Sequence, residues 1–287
     1  MAGIMRASLK DRPYWEYLAA TYELLGHPLR PSEEDVRIFD LALLRWLEAH
    51  PVTGLRAILL GATPALTTMR WPAHTTLIGC DASVPMMLSV WPCDRGRTVF
   101  GICGNWMDLP LAPSSLQIAV GDGALNCLPN RGAAIDVCRS VRGALADDGL
   151  FLARCYIRPE QPETPGQVFE EMFRGAIPSF GEFKFRLLLA MPQDTRSSLA
   201  VEAVYRLWAS HSINLVGLAA VTGWPLSQIE TIEGYRNSST VYYLPQLDEM
   251  RSVLDEQFDE ISMATPSYPL GRCCPVFAFR ARPGIRS

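Results

Sequence analysis

Four short segments carry residue types and spacings suited to holding a small polar ligand. In the first, Gly61-Ala62-Thr63-Pro64-Ala65-Leu66, Gly61 permits close backbone approach, Thr63 can cap a following helix, and Pro64 suits its first turn, where a missing N–H costs nothing. In the second, Asp81 closes an apolar run, where a carboxylate can accept both ribose hydroxyl protons, and Ala82, Ser83 and Met86 follow it. A methionine one helical turn on can lie against a purine face. In the third, Asn105 and Trp106 follow another apolar run, and the Asn amide oxygen can read an exocyclic amino group. The fourth is Asp122 between Gly121 and Gly123, a tight polar strand end. Convergence of these polar groups at successive strand ends is the chemistry of a nucleoside pocket.

The elements that must position these residues lie between residues 55 and 157. Short apolar runs at 57–62, 75–81, 98–103, 116–120 and 150–157 alternate with helical stretches at 84–90 and 133–146. Runs of this length, separated by helices, read as parallel strands covered on both faces. The expected fold is α/β: a doubly wound, mostly parallel seven-stranded sheet of Rossmann-like form, whose ligands bind beyond the carboxyl ends of the strands. Residues 14–25 and 33–50 read as amphipathic helices ahead of the sheet, the second capped by Ser32 and acidic in its first turn. Residues 158–167 are rich in proline and read as a linker into a mostly helical insertion, with helices at 198–210 and 213–222. A final helix at 246–258 leads to strands at 260–264 and 275–280, an antiparallel pair at the sheet edge. The expected divisions are thus an N-terminal helical cap, 1–54; a cofactor-binding core, 55–157; a helical lid and acceptor insertion, 158–235; and a helix and hairpin completing the sheet, 236–287.

These segments resemble the class I S-adenosylmethionine-dependent methyltransferases, over 55–157 and more weakly over the last helix and hairpin. Asp81-Ala-Ser83-Val-Pro-Met86-Met is similar to the family's acidic strand end with its DxSxxM continuation. Gly104-Asn105-Trp106-Met-Asp-Leu109-Pro110-Leu is similar to its GDAxxLPF segment, with Asn105 for the usual Asp and Trp106 for the usual small residue. Gly121-Asp122-Gly123 matches the strand end beside the methionine moiety. The resemblance implies S-adenosyl-L-methionine as cofactor, with Asp81 on the ribose, Asn105 and Trp106 at the adenine end, and the loop 61–66, including Gly61, Ala62 and Thr63, at the amino-acid end. The first loop departs from the family's GxGxG pattern, with one glycine only. The same lack of a glycine-rich turn argues against NAD, whose pyrophosphate needs such a cradle.

Methyl transfer is an in-line displacement at an activated sulfonium, so alignment and water exclusion come first, and a general base is needed only where the acceptor must lose a proton. No catalytic group stands out: His27, after the first helix, and His211, in the insertion, are the candidates, each with a structural role as its alternative. Tyr14, Tyr22 and Tyr156 are candidate acceptor contacts. The aromatics of the first helix and Phe169, Phe173, Phe180, Phe183 and Phe185 of the insertion suit either an acceptor pocket or the packing of helices onto the sheet.

Composition bounds the alternatives. The chain has 287 residues, 48% hydrophobic and 20% charged, with net charge -4, which excludes a disordered chain and disfavours a nucleic-acid binder. Of 26 basic residues only Lys10 and Lys184 are lysines, which reads as the codon bias of a GC-rich genome. No run of about 18 apolar residues spans a bilayer, and residues 1–12 carry no apolar run of a secretory signal. Eight cysteines without a CxxC suggest a reducing cytoplasm and no metal, with Cys80, Cys103 and Cys155 as buried strand residues. The leading expectation is therefore a cytoplasmic enzyme that methylates an O or N atom of a small molecule, with a homo-oligomer left open. The alternatives are a non-catalytic or regulatory protein of the same fold, or a cofactor-using enzyme of different reaction type.

Overall fold

A computed structural model describes residues 13–52, 54–92, 98–194 and 197–283. The charged N-terminus and Cys93 lie outside the described residues. The chain runs α1 (Tyr14–Thr21), α2 (Glu33–Ala49), β1 (Arg56–Leu60), β2 (Thr76–Asp81), α3 (Val84–Ser89), β3 (Thr98–Cys103), β4 (Leu116–Asp122), α4 (Arg131–Ala144) and β5 (Leu145–Arg154). The insertion supplies α5 (Pro165–Phe173), α6 (Phe180–Ala190), β6 (Ser198–Ala200), α7 (Val201–Ser210), α8 (Leu215–Thr222) and α9 (Leu226–Ile229). After it come β7 (Val241–Tyr243), α10 (Leu247–Leu254), β8 (Phe258–Ala264) and β9 (Val276–Ala281).

Seven strands form one sheet in the order β3-β2-β1-β4-β5-β9-β8. β1 to β5 are parallel, and β9 pairs antiparallel with both β5 and β8. The doubly wound sheet with an antiparallel excursion is thus as expected, with β9 inserted between β5 and β8. Because β1 starts in mid-sheet and the chain winds outward both ways, β1 and β4 are neighbours at the switch in strand order, where a crevice opens beyond the carboxyl ends.

The apolar runs form strands because both faces are covered. One face packs on α4 and α10 through Ile58, Ala119, Phe151, Val141, Leu254 and Phe277; the other packs on α2 through Leu59, Val120, Leu152, Phe39 and Leu43. β3 departs from that reading: as the outermost strand it is largely exposed, with Phe100 54% accessible and the Cys103 thiol exposed, not buried. Cys80 and Cys155 are buried.

α2 begins in a reciprocal capping box, Ser32 Oγ accepting from the Asp35 N–H and the Asp35 carboxylate accepting from the Ser32 N–H. The proline-rich stretch ends in a second box, Thr164 with Gln167, and places Pro165 in the first turn of α5. The stretch at 198–210 is not one helix: its first three residues form β6, which pairs antiparallel with β7. That ribbon joins the insertion to a segment beyond residue 235. The insertion has its own core, in which Phe169, Phe180, Phe183 and Phe185 pack with Trp208 and Trp224.

Among the described residues no helix is long and apolar enough to cross a membrane.

Candidate active site

A cavity of about 590 Å³ opens beyond the carboxyl ends of β1, β2 and β4. Its floor is the set of strand ends singled out in the sequence: Gly61, Ala62, Thr63, Asp81, Ala82, Ser83, Met86, Asn105, Trp106 and Asp122 all line it. Its roof is α1, which lies against α3 and against the 3-10 turn Glu230–Tyr235. Tyr14, Tyr17, Tyr22, Tyr156, Tyr235 and Tyr242 face inward from four separate parts of the chain.

The floor is held by backbone hydrogen bonds. Gly61 sits at φ +96°, a left-handed conformation that side-chain-bearing residues rarely adopt, and its N–H donates to the Cys80 carbonyl. A Cβ there would lie 3.5 Å from Trp106 Cζ2 and 3.9 Å from Asp81 Oδ2, so all three groups converge on one spot. The Trp106 indole N–H donates to the same Cys80 carbonyl at 2.6 Å. Asp81 is 9% exposed; its Oδ1 accepts from the Ser83 N–H at 2.8 Å and its Oδ2 from the Ala62 N–H at 3.2 Å. Burial raises its pKa above the ordinary carboxylate value, and the two amides pull it back. A carboxylate has about four acceptor positions, so two backbone donors leave room for two hydroxyl protons.

Several expected roles are altered. Thr63 makes no side-chain cap, and the segment after it is a 3-10 turn, Pro64–Thr68, because Thr63 takes a φ of -114° and ψ of 89° and the turn closes on backbone bonds. Asn105 Oδ1, expected to read an adenine amino group, accepts from the Met107 N–H at 3.0 Å and caps a short 3-10 turn. Asp122 is tied to the Arg154 guanidinium at 2.5 Å. Burial pushes the Asp122 carboxyl up while Arg154 beside it pulls it back; Arg154 in turn is held firmly cationic by Asp122. Asp122 therefore borders the cavity as half of an ion pair.

Neither histidine lines the cavity. His27 packs edge-on against Tyr268 at 3.9 Å, with Nδ1 4.0 Å from Asp35, and burial lowers its pKa. His211 is exposed at the end of α7, stacked on Phe169 at 3.8 Å with Nδ1 on the Leu207 carbonyl. The insertion phenylalanines line no part of the cavity either: α5 and α6 turn Phe169, Phe180, Phe183 and Phe185 into the insertion's own core, while Phe173, at the end of α5, is 49% exposed and belongs to neither.

Four residues escaped the sequence reading. Arg154 is the largest fully buried side chain and reaches Asp122, Asp35, the Pro28 carbonyl and the Tyr268 hydroxyl. Asn126, fully buried, donates to the Tyr156 and Tyr243 carbonyls and accepts from the Tyr156 N–H, fixing the stretch that aims Tyr156 inward. Lys184 and Thr231 bring polar groups into an aromatic wall. For Lys184 a signal existed: in a chain that uses arginine throughout, one of two lysines lies in an apolar helix. Arg154 offered the same kind of signal, a lone charge inside the apolar run of β5, but nothing in the sequence named its partners.

No protein-family profile and no curated protein matches the sequence. Solved structures match at full length and low identity. A Rhodobacter sphaeroides protein whose name assigns it to zinc-dependent alcohol dehydrogenases has a TM-score of 0.60 at 12% identity, over 96% of this chain and 100% of that one. The CcbJ methyltransferase of Streptomyces caelestis gives 0.56 at 13%, over 94% and 98%. A methyltransferase of Haloferax volcanii, in complex with a methyltransferase activator, gives 0.52 at 13%, over 95% and 99%. At such identities the likeness is one of fold. The described residues contain no group of three or more His, Cys, Asp or Glu that could hold a metal. With its strand order and these neighbours, the chain has the Rossmann-like fold of the class I methyltransferases.

Proposed function

We propose that this protein is an S-adenosylmethionine-dependent methyltransferase acting on an oxygen or nitrogen atom of a small molecule. The observation that carries the reading is the single cavity shared by the strand-end residues and a roof of tyrosines, with Asp81 buried and only half satisfied. When bound, S-adenosylmethionine supplies a methyl group on a positively charged sulfur. Asp81 would take the ribose hydroxyls, and Trp106 and Met86 would bound the adenosine end. The one-glycine loop at 61–63 brings its backbone to the amino-acid end, since Gly61 has the open conformation that close approach needs. A cavity of this size, roofed by α1, has room for cofactor and a modest acceptor, and shielding of the reacting atoms is what displacement at sulfur requires of the protein. The absence of metal-ligand clusters among the described residues is neutral on the chemistry.

The test is incubation with methyl-labelled S-adenosylmethionine and pools of small aromatic hydroxyl and amino compounds, read by product mass. Transfer of label to a small molecule supports the reading. Tight cofactor binding without transfer to any pool favours the regulatory alternative, and a nucleoside product other than S-adenosylhomocysteine favours a different reaction at the same site.

A further inference from the structure

Lys184 is the feature of the cavity that cofactor binding leaves unused. It lies on α6, 2% exposed, and lines the cavity among aromatic residues. Its Nζ donates to Thr231 Oγ1 at 2.8 Å and lies 5.5 Å from the Phe180 ring and 5.7 Å from the Tyr235 ring. No carboxylate pairs with it among the described residues. The Thr231 hydroxyl proton is already committed to the Gln228 carbonyl at 2.6 Å, so that oxygen can only accept from Nζ. An uncharged Nζ therefore gives one N–H to Thr231 and keeps its lone pair for the cavity.

The surroundings favour that uncharged form. Burial pushes the amine down to about 7, with no compensating anion. On the neighbouring elements burial raises Tyr14 and Tyr17 of α1, Tyr235 of the 3-10 turn, Tyr242 of β7 and Cys127, the last to about 12, so these groups stay neutral near that pH; the same 3-10 turn also carries the carboxylates Glu230 and Glu233, the second paired with Arg236 at 3.3 Å. Glu16, on α1, also borders the cavity. An amine poised near the working pH, held at one N–H and facing an aromatic pocket, suits proton removal from a weakly acidic group.

We propose that Lys184 is the general base of this site and that the acceptor is a phenol-type hydroxyl on an aromatic ring. The proposal rests on the methyl-transfer reading. The acceptor O–H bond breaks and its proton goes to the Nζ lone pair. The electron pair left on oxygen forms the new O–C bond to the methyl group as the C–S bond breaks and its pair returns to sulfur. Lys184 then returns the proton to solvent. An amine acceptor fits less well: an aliphatic amine arrives protonated at neutral pH and is a weaker match to a base held among aromatic rings than a phenol is. The tyrosine-lined wall suits an aromatic ring, and the ammonium formed on Nζ pairs with the new oxyanion while resting near the Phe180 and Tyr235 rings.

The probe is 4-nitrophenol, whose ionised form has its own visible absorption band, bound to the full chain at a pH below the probe's own pKa, with and without S-adenosylhomocysteine. We expect the bound probe to show the phenolate band in the native protein, and Lys184→Met to lose the band while keeping its affinity for S-adenosylhomocysteine. Lys184→Gln, which keeps an N–H donor for Thr231, should lose it equally and serves where the Met variant does not fold. A probe bound only as the neutral phenol, no binding of the probe, or a band undiminished in both variants would overturn the proposal. Because the band is read without methyl transfer, its failure is separate from that of the cofactor reading, which shows as absent S-adenosylhomocysteine binding in the native protein.

Discussion

Replacing Arg154 by methionine tests how the site is held. The guanidinium is wholly buried and joins four parts of the chain: Asp122 at the end of β4, Asp35 in the first turn of α2, the Pro28 carbonyl, and Tyr268 in the loop before β9. Methionine fills most of the volume but leaves Asp122 without its cation in a buried position. Asp35 fares better, since it keeps the Ser32 N–H and hydroxyl and the Tyr268 hydroxyl. Breaking a buried pair by removing one partner costs roughly 3 to 5 kcal/mol, which for a chain of this size lowers the melting temperature on the order of 10 °C. The cost should also depend on pH. With no guanidinium beside it, burial and then the Asp35 carboxylate act unopposed on Asp122 and raise its folded pKa further above the unfolded value. The folded variant then binds more protons than the unfolded chain between those two values, so its stability falls as pH rises through that window. Denaturant unfolding at pH 7 and at pH 5 reads both effects: the loss relative to the native protein should be larger at pH 7. Asp122→Asn placed in the Arg154→Met background should recover much of it. A loss under about 1 kcal/mol at pH 7, or one insensitive to both pH and the second substitution, would refute the reasoning.

Other outcomes follow from single contacts. Lys184→Met should stabilise the fold near pH 7 by up to roughly 5 kcal/mol, because the unfolded chain binds the proton that the buried amine gives up between about 7 and its ordinary value; the gain should vanish toward pH 10, as denaturation at the two pH values would show. Gly234→Ala would place a Cβ 2.6 Å from Tyr17 Cδ1, so the roof must shift, and binding of S-adenosylhomocysteine measured by calorimetry should weaken more than global stability does. Ser32→Ala removes one half of a capping box and should cost about 1 kcal/mol in unfolding experiments with little change in ligand affinity. Ligand affinity should fall on acidification at a higher pH than an ordinary carboxylate would give, since ionised Asp81 accepts the ribose hydroxyls and burial raises its pKa; a pH series of binding isotherms checks the direction.

What was legible in the sequence follows a physical divide. Strands buried on both faces announce themselves as apolar runs, so β1, β2 and β4 were placed to within a few residues and their carboxyl ends with them, while β5 begins at Leu145, ahead of the apolar run expected from residue 150, because polar residues interrupt its first half. β3 has the same composition but sits at the sheet edge, and composition alone does not distinguish edge from centre. Local polar signals were also readable, as with Ser32 and the turn at Asp81. Pairings across long sequence separations were not: Arg154 meets Asp35 over 119 residues, and Tyr14 meets Tyr242 over 228. The insertion misled for a related reason, since its phenylalanines bury equally well in a pocket wall or in a core, and only the directions of α5 and α6 decide between them.

The account rests on Asp81 holding a nucleoside in the cavity beneath α1. Isothermal titration of S-adenosylhomocysteine into the native protein and into Asp81→Ala tests it most directly. The account predicts one site in the native protein and a loss of roughly 1.5 to 3 kcal/mol in the variant, about ten- to a hundredfold, with the fold intact. No binding to the native protein, or equal affinity in the two, would contradict it.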